Sequence, residues 1–324
     1  MYMSIKKILR KKLMSSEVGQ LLFYKIRILR EKYIMATKSD YRFVSDVYKK
    51  RFGSKLDFAN PKTLAEKLNW LKLFYRDEKM PICSDKYEVH NYLKEIGHGD
   101  LCNEIIGIYD DARDIDFDTL PDKFVAKATH GSSWNLICED KSTLDWDSSV
   151  KIMNMWLKLN LCAFGREWNY KDLKPRIIVE KFIEHKPLND YKFMCFNGEP
   201  LYMQLNNDYE GKHYVDFYDL KDWSHLPVTY SAYENSDRKI ELPENYDKMF
   251  DLAKELSKPF PFVRVDFYSF DDTILFGELT FFPGGALRPF IPIEKGYNEL
   301  LGEKLQLPEP NYNLDLYNKI NSKK

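Results

Sequence analysis

Cysteine and histidine are scarce in this 324-residue chain, with five Cys (Cys83, Cys102, Cys138, Cys162, Cys195) and six His. The cysteine number is odd and no two stand as C-x-x-C, which argues against a disulfide framework or a zinc ribbon and leaves reduced cytosolic thiols as the simple reading. Neither H-E-x-x-H nor H-x-x-x-H occurs, so a His/Cys metal centre is not expected. No run of 18 apolar residues is present, and a spanning helix is not expected. The early apolar run is short and broken by charge, without a small-residue cleavage site, so a secretory signal is not expected either. An excess of one charge is also lacking: 49 Lys and Arg stand against 50 Asp and Glu. That excludes a polycation for nucleic acid, and no nucleic-acid partner is expected.

Apolar residues are abundant, at 44%, and aromatics reach 15% with 22 Tyr and 21 Phe. Such a chain can fill a large core and line an aromatic cleft. Its length suits about two domains of ~150 residues. The near-neutral total conceals an asymmetry. Lys6, Lys7, Arg10, Lys11, Lys12, Lys25, Arg27, Arg30 and Lys32 face only Glu17 and Glu31 within residues 1–35, leaving the remainder acidic. Ile5, Ile8, Leu9, Leu13, Leu21, Leu22, Tyr24, Ile26, Ile28 and Leu29 recur among them at a spacing that suits one or two helices. One expectation is a basic amphipathic helix against the anionic inner face of the cytoplasmic membrane; the other is a helix packed on the body with a solvated basic face.

Further along, Thr63 and Glu66 form a capping-box signature ahead of Leu64, Leu68, Leu71 and Phe74, which predicts a helix. A second helix is expected from about 85 to 93, a strand at 105–109, a strand at 124–128, a returning strand at 136–138, and a helix over 147–161. A strand follows at 176–183. Asn197-Gly198 predicts a tight hairpin turn between 191–195 and 200–204. A helix is expected at 244–257, then strands at 262–268 and 274–279 about Asp271-Asp272. The tail after Pro308 reads as polar and loose. The pattern is α+β with antiparallel hairpins.

The sharpest chemistry lies near the C-terminal end. Arg264-Val265-Asp266 and Glu278-Leu279-Thr280-Phe281-Phe282-Pro283-Gly284-Gly285 fall on two strands joined by a short turn. Asp266 and Glu278 should then lie side by side, suited to Mg²⁺, which takes one or two carboxylates plus substrate phosphates. Arg264 shares the face of Asp266 and could stabilise a phosphoryl or oxyanion oxygen. The same letters also describe a salt-bridged surface hairpin. Upstream, Lys127 precedes His130-Gly131-Ser132-Ser133, a small-residue loop able to fold over phosphates, though an ordinary hairpin turn reads the same way. The strand holding Glu180 could receive an adenine ring. Asp190 offers an acid for ribose hydroxyls, and Lys192 a second phosphate cation.

Taken in order, these residues resemble the ATP-grasp superfamily, including the R-V-D-F and E-x-N-x-x-P-G ending of D-alanine–D-alanine ligases; here Thr280 stands at the Asn. A closer resemblance, over about 42–306, is carried by Lys62-Thr63-Leu64-Ala65-Glu66-Lys67-Leu68, Leu120-Pro121-Asp122-Lys123-Phe124-Val125, Phe164-Gly165-Arg166-Glu167-Trp168, Asp190-Tyr191-Lys192-Phe193 and Phe262-Val263-Arg264-Val265-Asp266. It is to the TupA-like ATP-grasp family, associated with teichuronopeptide and other bacterial surface polysaccharides and often labelled glycosyltransferase. The resemblance implies an α+β ATP-grasp fold, two lobes gripping ATP, with a helical N-terminal region. The expected regions are a basic helical segment (1–40), a mostly helical region (41–115), a small lobe (116–186), a large lobe (187–310) and a polar tail (311–324).

The resemblance further implies ATP and Mg²⁺ as cofactors. Lys127 and Lys192 would be phosphate lysines, Lys86 a further nucleotide-contacting lysine, and Gly131, Ser132 and Ser133 the loop. Glu180 and Ile183 would form the adenine hinge, Asp190 the ribose acid, and Asp266, Glu278 and Thr280 the metal ligands. Arg264 would hold acyl-phosphate oxygens. The implied activity is ATP-dependent ligation of a carboxylate to an amine, one partner being a carbohydrate or polysaccharide precursor and the other an amino acid or amine, in the cytoplasm. Two rival activities are a nucleotide-sugar glycosyltransferase, using D-x-D letters at Asp114-Ile115-Asp116 or Asp116-Phe117-Asp118, and a sugar kinase on the same fold.

Overall fold

The computed structural model describes residues 13–322, apart from 15, 186–188, 210, 231–232, 237, 239 and 293–295. Two sheets organise it. The first is built from β1 (Ile105–Tyr109), β2 (Phe124–Ala128), β3 (Asn135–Cys138) and β4 (Ile177–Lys181), in the order β1-β4-β2-β3. Every neighbouring pair in it is antiparallel. Its edge strand β1 comes from before residue 116, so this sheet reaches back into the stretch read as mostly helical. Along β2, Phe124, Ala126 and Ala128 are fully buried, while Val125 and Lys127 turn to the other face. The buried face meets Met153 and Trp156 of helix Trp146–Trp156. Helix Glu17–Thr37 joins the same cluster through Tyr24, whose hydroxyl accepts a hydrogen bond from Trp156 Nε1 at 3.1 Å.

The second sheet takes β5 (Asn189–Phe196), β6 (Glu199–Tyr209), β7 (Lys212–Asp219) and β8 (His225–Leu226). β9 (Thr229–Tyr230) stands apart, then β10 (Phe262–Phe270) and β11 (Thr273–Thr280) complete the sheet in the order β11-β10-β5-β6-β7-β8. β12 (Phe290–Ile291) pairs with β9. The Asn197-Gly198 turn has both residues at positive φ, +49° and +86°, as a two-residue hairpin between right-twisted strands requires.

Alternation along β10 fixes which face is which. Val263, Val265 and Phe267, with Phe193 and Cys195 of β5, pack against Met249, Ala253 and Leu256 of helix Tyr246–Ser257. Arg264, Asp266 and Lys192 are thereby turned to the opposite face, where only a polar cleft can satisfy them. Strands β7 and β8 were not expected from sequence. There a buried Asp216 interrupts the apolar pattern, accepting hydrogen bonds from His225 Nε2 (3.0 Å) and the Ser236 N–H (2.9 Å).

Helix Leu64–Phe74 starts with the expected capping box: the Glu66 N–H donates to Thr63 Oγ1 at 3.1 Å and the Thr63 N–H to Glu66 Oε2 at 3.0 Å. The helix expected near 85–93 is Glu88–Glu95, and a further short helix that was not expected, Lys79–Ser84, precedes it. The break is at Asp85, whose carboxylate accepts from the N–H groups of Tyr87 and Glu88. The tail expectation is corrected. Residues Leu314–Asn321 are helical, and Tyr317 sets its ring against Trp70 and Phe74 at centroid distances of 6.0 and 5.5 Å. Leu316, Tyr317 and Ile320 cover the core on one side of an otherwise polar segment, at the i, i+1, i+4 spacing that marks a helix face in the sequence itself. Among the described residues no helix is long and apolar enough to cross a membrane.

Candidate active site

In register, Asp266 on β10 lies opposite Glu278 on β11 and Lys192 on β5, and Lys192 lies opposite Gln204 on β6. Cross-strand partners share a face. Glu278, Asp266, Lys192 and Gln204 therefore form one transverse line across four strands. The β10–β11 register slips after Asp266, a bulge that takes up Gly277. A Cβ on Gly277 would come within 2.9 Å of the Asp266 carbonyl oxygen, so the strand aiming Glu278 needs glycine there.

Arg264, one row away and opposite Thr280, ties this line together. Its Nε donates to Asp266 Oδ1 at 2.7 Å, and its Nη2 to Asp266 Oδ2 (2.7 Å), Glu278 Oε1 (2.9 Å) and Thr280 Oγ1 (3.1 Å). The Thr280 hydroxyl in turn donates to Glu278 Oε1 at 2.9 Å, so it braces the carboxylate. Lys192 Nζ donates to Asp266 Oδ2 at 2.7 Å and also pairs with Asp190. Burial works to raise the Glu278 carboxyl, but Arg264, Lys86 and Lys192 hold it down at about 2. For Asp266 burial dominates and lifts the carboxyl to about 6 against the pull of Arg264 and Lys192. Burial works to lower the Lys192 ammonium, and Asp266 with Asp190 outweighs it, so the group stays charged.

The facing wall comes from the first sheet. Lys127 Nζ pairs with Glu180 Oε2 across β2 and β4 at 2.6 Å. Beyond Lys127 the chain turns through His130-Gly131-Ser132-Ser133-Trp134. Ser133 sits at φ +63°, a left-handed conformation that a glycine would adopt without strain. Gly131 is covered by the Trp134 ring, whose nearest carbon would lie 2.2 Å from a Cβ there. Lys86 Nζ donates to the Gly131 carbonyl at 2.6 Å, and the Lys86 N–H to the Thr129 carbonyl at 3.1 Å, so the loop is tied to the segment between the two short helices. Burial lowers the Lys86 ammonium, with Glu278 opposing. Ile183 borders the same space just past β4.

Both walls line one cleft of about 480 Å³ that includes Lys86, Lys127, Ser132, Ser133, Glu180, Ile183, Asp190, Lys192, Arg264, Asp266 and Glu278. Gly131 and Thr280 stand behind its surface, as anchor and brace. Sequence reasoning missed several further residues. Gln204 lines the cleft with its Oε1 buried and without a hydrogen-bond partner. Arg288 lines it beside Gly284, lying so close that a Cβ on Gly284 would meet its Cδ at 2.7 Å. Lys72 and Asn69, buried on helix Leu64–Phe74, hold the Pro283–Ala286 turn: Lys72 Nζ donates to the Gly285 carbonyl at 2.6 Å and Asn69 Nδ2 to the Ala286 carbonyl at 2.8 Å. A lysine among apolar helix residues carries no signal of this in the sequence. Asp114, Asp116 and Asp118 are exposed in surface turns and do not line the cleft.

A hard cation suits these carboxylates on particular terms. Among the described residues there is no cluster of three or more His, Cys, Asp or Glu able to hold a metal. Asp266 Oδ2 already accepts two hydrogen bonds, whereas Glu278 Oε2 accepts none that the structure records. Two carboxylates with spare lone pairs and no third ligand fit a cation whose remaining ligands are phosphate oxygens and water.

The sequence model of the TupA-like ATPgrasp family matches residues 66–306. No curated protein matches the chain. Among solved structures, the chain is similar to D-alanine–D-alanine ligase from Bacillus anthracis, at 18% identity over 75% of this chain and 69% of that one, with a TM-score of 0.43. It is similar to the Helicobacter pylori enzyme of the same name at 15% identity over the same shares, TM-score 0.40. It is also similar to N5-carboxyaminoimidazole synthetase from Staphylococcus aureus complexed with ADP, at 13% identity over 69% and 52%, TM-score 0.37.

Proposed function

Because the chain belongs to the TupA-like ATP-grasp family, we propose that it is an ATP-dependent ligase that activates a carboxylate as an acyl phosphate and joins it to an amine. The observation that carries this reading is the line Glu278–Asp266–Lys192, locked by Arg264, facing Lys127 and the 130–134 loop across one cleft. ATP enters between the walls, its phosphates toward Lys127, Lys192 and the loop, its base toward Glu180 and Ile183, its ribose toward Asp190. Asp266 and Glu278 would hold magnesium, which would supply charge neutralisation at the phosphates.

A substrate carboxylate oxygen attacks the γ-phosphorus; the new O–P bond forms as the bond to the ADP oxygen breaks. The amine nitrogen then attacks the acyl carbon, the C–O bond to phosphate breaks, and phosphate leaves as the nitrogen loses a proton. Positioning and charge neutralisation are what phosphoryl transfer demands of a protein. Arg264 is aimed to stabilise the acyl-phosphate oxygens. Arg288 and the unpartnered Gln204 Oε1 suit an anionic substrate that also carries hydroxyl or amine donors. A uronic acid or amino sugar of a bacterial surface polysaccharide, such as a capsule or O-antigen precursor, is such a molecule.

The test is release of inorganic phosphate from Mg-ATP with uronic-acid glycans and amino acids supplied singly and together. Release that needs both, with an amide product by mass spectrometry, supports the ligase. Stable phosphate on a sugar hydroxyl would convert the reading to a kinase. Glycan extension from a UDP-sugar with no ATP requirement would convert it to a glycosyltransferase.

A further inference from the structure

Helix Glu17–Thr37 buries one side and leaves an apolar stripe on the other. Val18, Leu22, Ile26, Leu29 and Tyr33 are 76%, 48%, 56%, 68% and 68% exposed. Their spacings of four, four, three and four residues keep them within an arc of about 80° on a helix of 3.6 residues per turn. Lys25 and Lys32 run along one border of that arc and Arg30 along the other, all three exposed. The helix's two acids lie off this stripe and are paired: Glu31 is buried and pairs with Arg27 at 3.0 Å, and the half-buried Glu17 pairs with Lys151 at 2.8 Å. The outward face is thus apolar along its middle and cationic at both edges. Five more cations, Lys6, Lys7, Arg10, Lys11 and Lys12, precede it in the sequence.

We infer that this face docks on an anionic lipid bilayer, with the stripe entering the acyl boundary and the flanking cations meeting phosphate headgroups. Charge selects this occupant over a second copy of the chain. Two such helices paired along the stripe would set Lys25, Lys32 and Arg30 against their own kind, with no outward acid on either side to compensate. The docked helix also reaches the cleft. On its inner side the Arg27 guanidinium lies 5.4 Å from the centre of the Trp134 ring, the ring that covers Gly131. The 130–134 loop would accordingly be held one helix diameter, ~10 Å, from the lipid surface. This inference does not depend on the ligase reading.

The test is co-sedimentation of the full chain with vesicles of phosphatidylcholine, with and without phosphatidylglycerol. The wild type is expected to pellet only with the anionic vesicles. Leu22→Asp/Leu29→Asp and, separately, Lys25→Glu/Lys32→Glu are expected to reduce binding by about ten-fold or more. All four positions are exposed, so melting temperatures should match the wild type, which separates docking from folding. Several outcomes would overturn the inference. One is pelleting that ignores lipid charge. Another is binding that survives both double variants, which would assign it to the residues ahead of the helix. A third is a wild-type dimer that Leu29→Asp disperses while no vesicle is bound.

Discussion

The two walls of the cleft reach a similar end by different means. On the sheet wall, Arg264, Lys192, Asp190, Asp266 and Glu278 are paired among themselves, and their positions follow from strand register. On the loop wall, one ion pair, Lys127–Glu180, stands beside a lysine, Lys86, whose ammonium is engaged by a backbone carbonyl. Lys127 keeps 29% of its side-chain surface open, against 1% for Asp266. The sheet wall is a preorganised array in which each charge fixes its neighbours, the arrangement that electrostatic stabilisation of a transition state requires. The loop wall is a cation on a strand end and a turn pinned by a few contacts, the arrangement expected where a nucleotide must enter and leave. Substitution should therefore be felt as lost structure and lost chemistry on one side, and chiefly as lost nucleotide affinity on the other.

The largest effect is expected on the sheet wall. Arg264→Ala strips Asp266 of two hydrogen bonds and Glu278 of one, and leaves a buried carboxylate short of its partner. Breaking such an array costs about 3–5 kcal/mol of stability, and removing an electrostatic stabiliser lowers turnover by roughly 10²–10³-fold. Denaturant melts and ATP-dependent phosphate release measure the two losses. Turnover preserved at saturating ATP, with only the melt affected, would reduce Arg264 to a structural brace and erase the distinction between the walls.

A smaller and more selective effect is expected on the loop wall. Lys127→Met removes a charge-assisted contact worth about 1.5–3 kcal/mol of nucleotide affinity, or roughly ten- to a hundred-fold. Because Lys127 is partly open, the unliganded melt should move less than for Arg264→Ala. Wild type should gain melting temperature with Mg-ATP and the variant should gain little. An undiminished Mg-ATP shift in the variant would remove Lys127 from the nucleotide site.

The walls also differed in how far the sequence disclosed them. The Glu278–Asp266 pair was legible because strand alternation and a short turn dictate it: once β10 and β11 pair, Asp266 and Glu278 must be neighbours, and Arg264 must share their face; the place of Lys192 beside them was not, since it rests on the pairing of β10 with the distant β5. The loop was legible as a place but not as a geometry. Nothing in His130-Gly131-Ser132-Ser133-Trp134 announces that Trp134 folds back over Gly131 or that Ser133 takes the left-handed conformation. Around this loop stand Lys86, on the Gly131 carbonyl, and Arg27, over the Trp134 ring, both far away in sequence. Gln204 and Arg288 escaped for the same reason, since each enters the cleft only through tertiary placement. Lys72 was hidden more completely. Its helix is buried nearly all round, so amphipathic periodicity offered no polar face on which to place it.

The smallest expected effect tests the support behind the sheet wall, where Lys72 and Glu167 are buried together against the Gly284-Gly285 turn. Burial pushes the Glu167 carboxyl up to about 7, with Lys72 opposing, and burial pushes the Lys72 ammonium down to about 8, with Glu167 opposing. A carboxyl whose folded pKa lies above its ordinary value of 4.5 adds stability that is fully present below pH 4.5 and lost as pH rises through about 7. The ammonium is the reverse: its contribution is present above 10.5 and lost as pH falls through about 8. Glu167→Gln removes the carboxyl titration and, by taking away the charge that opposes burial, also moves the Lys72 ammonium further down. The stability of wild type minus that of Glu167→Gln should therefore fall as pH rises from 4.5 through about 7. Paired urea titrations across that range measure it. A difference that stays flat, or that rises with pH, would mean Glu167 is not held by burial beside the turn, and that the Gly284-Gly285 backbone owes its position to Lys72 and Asn69 alone.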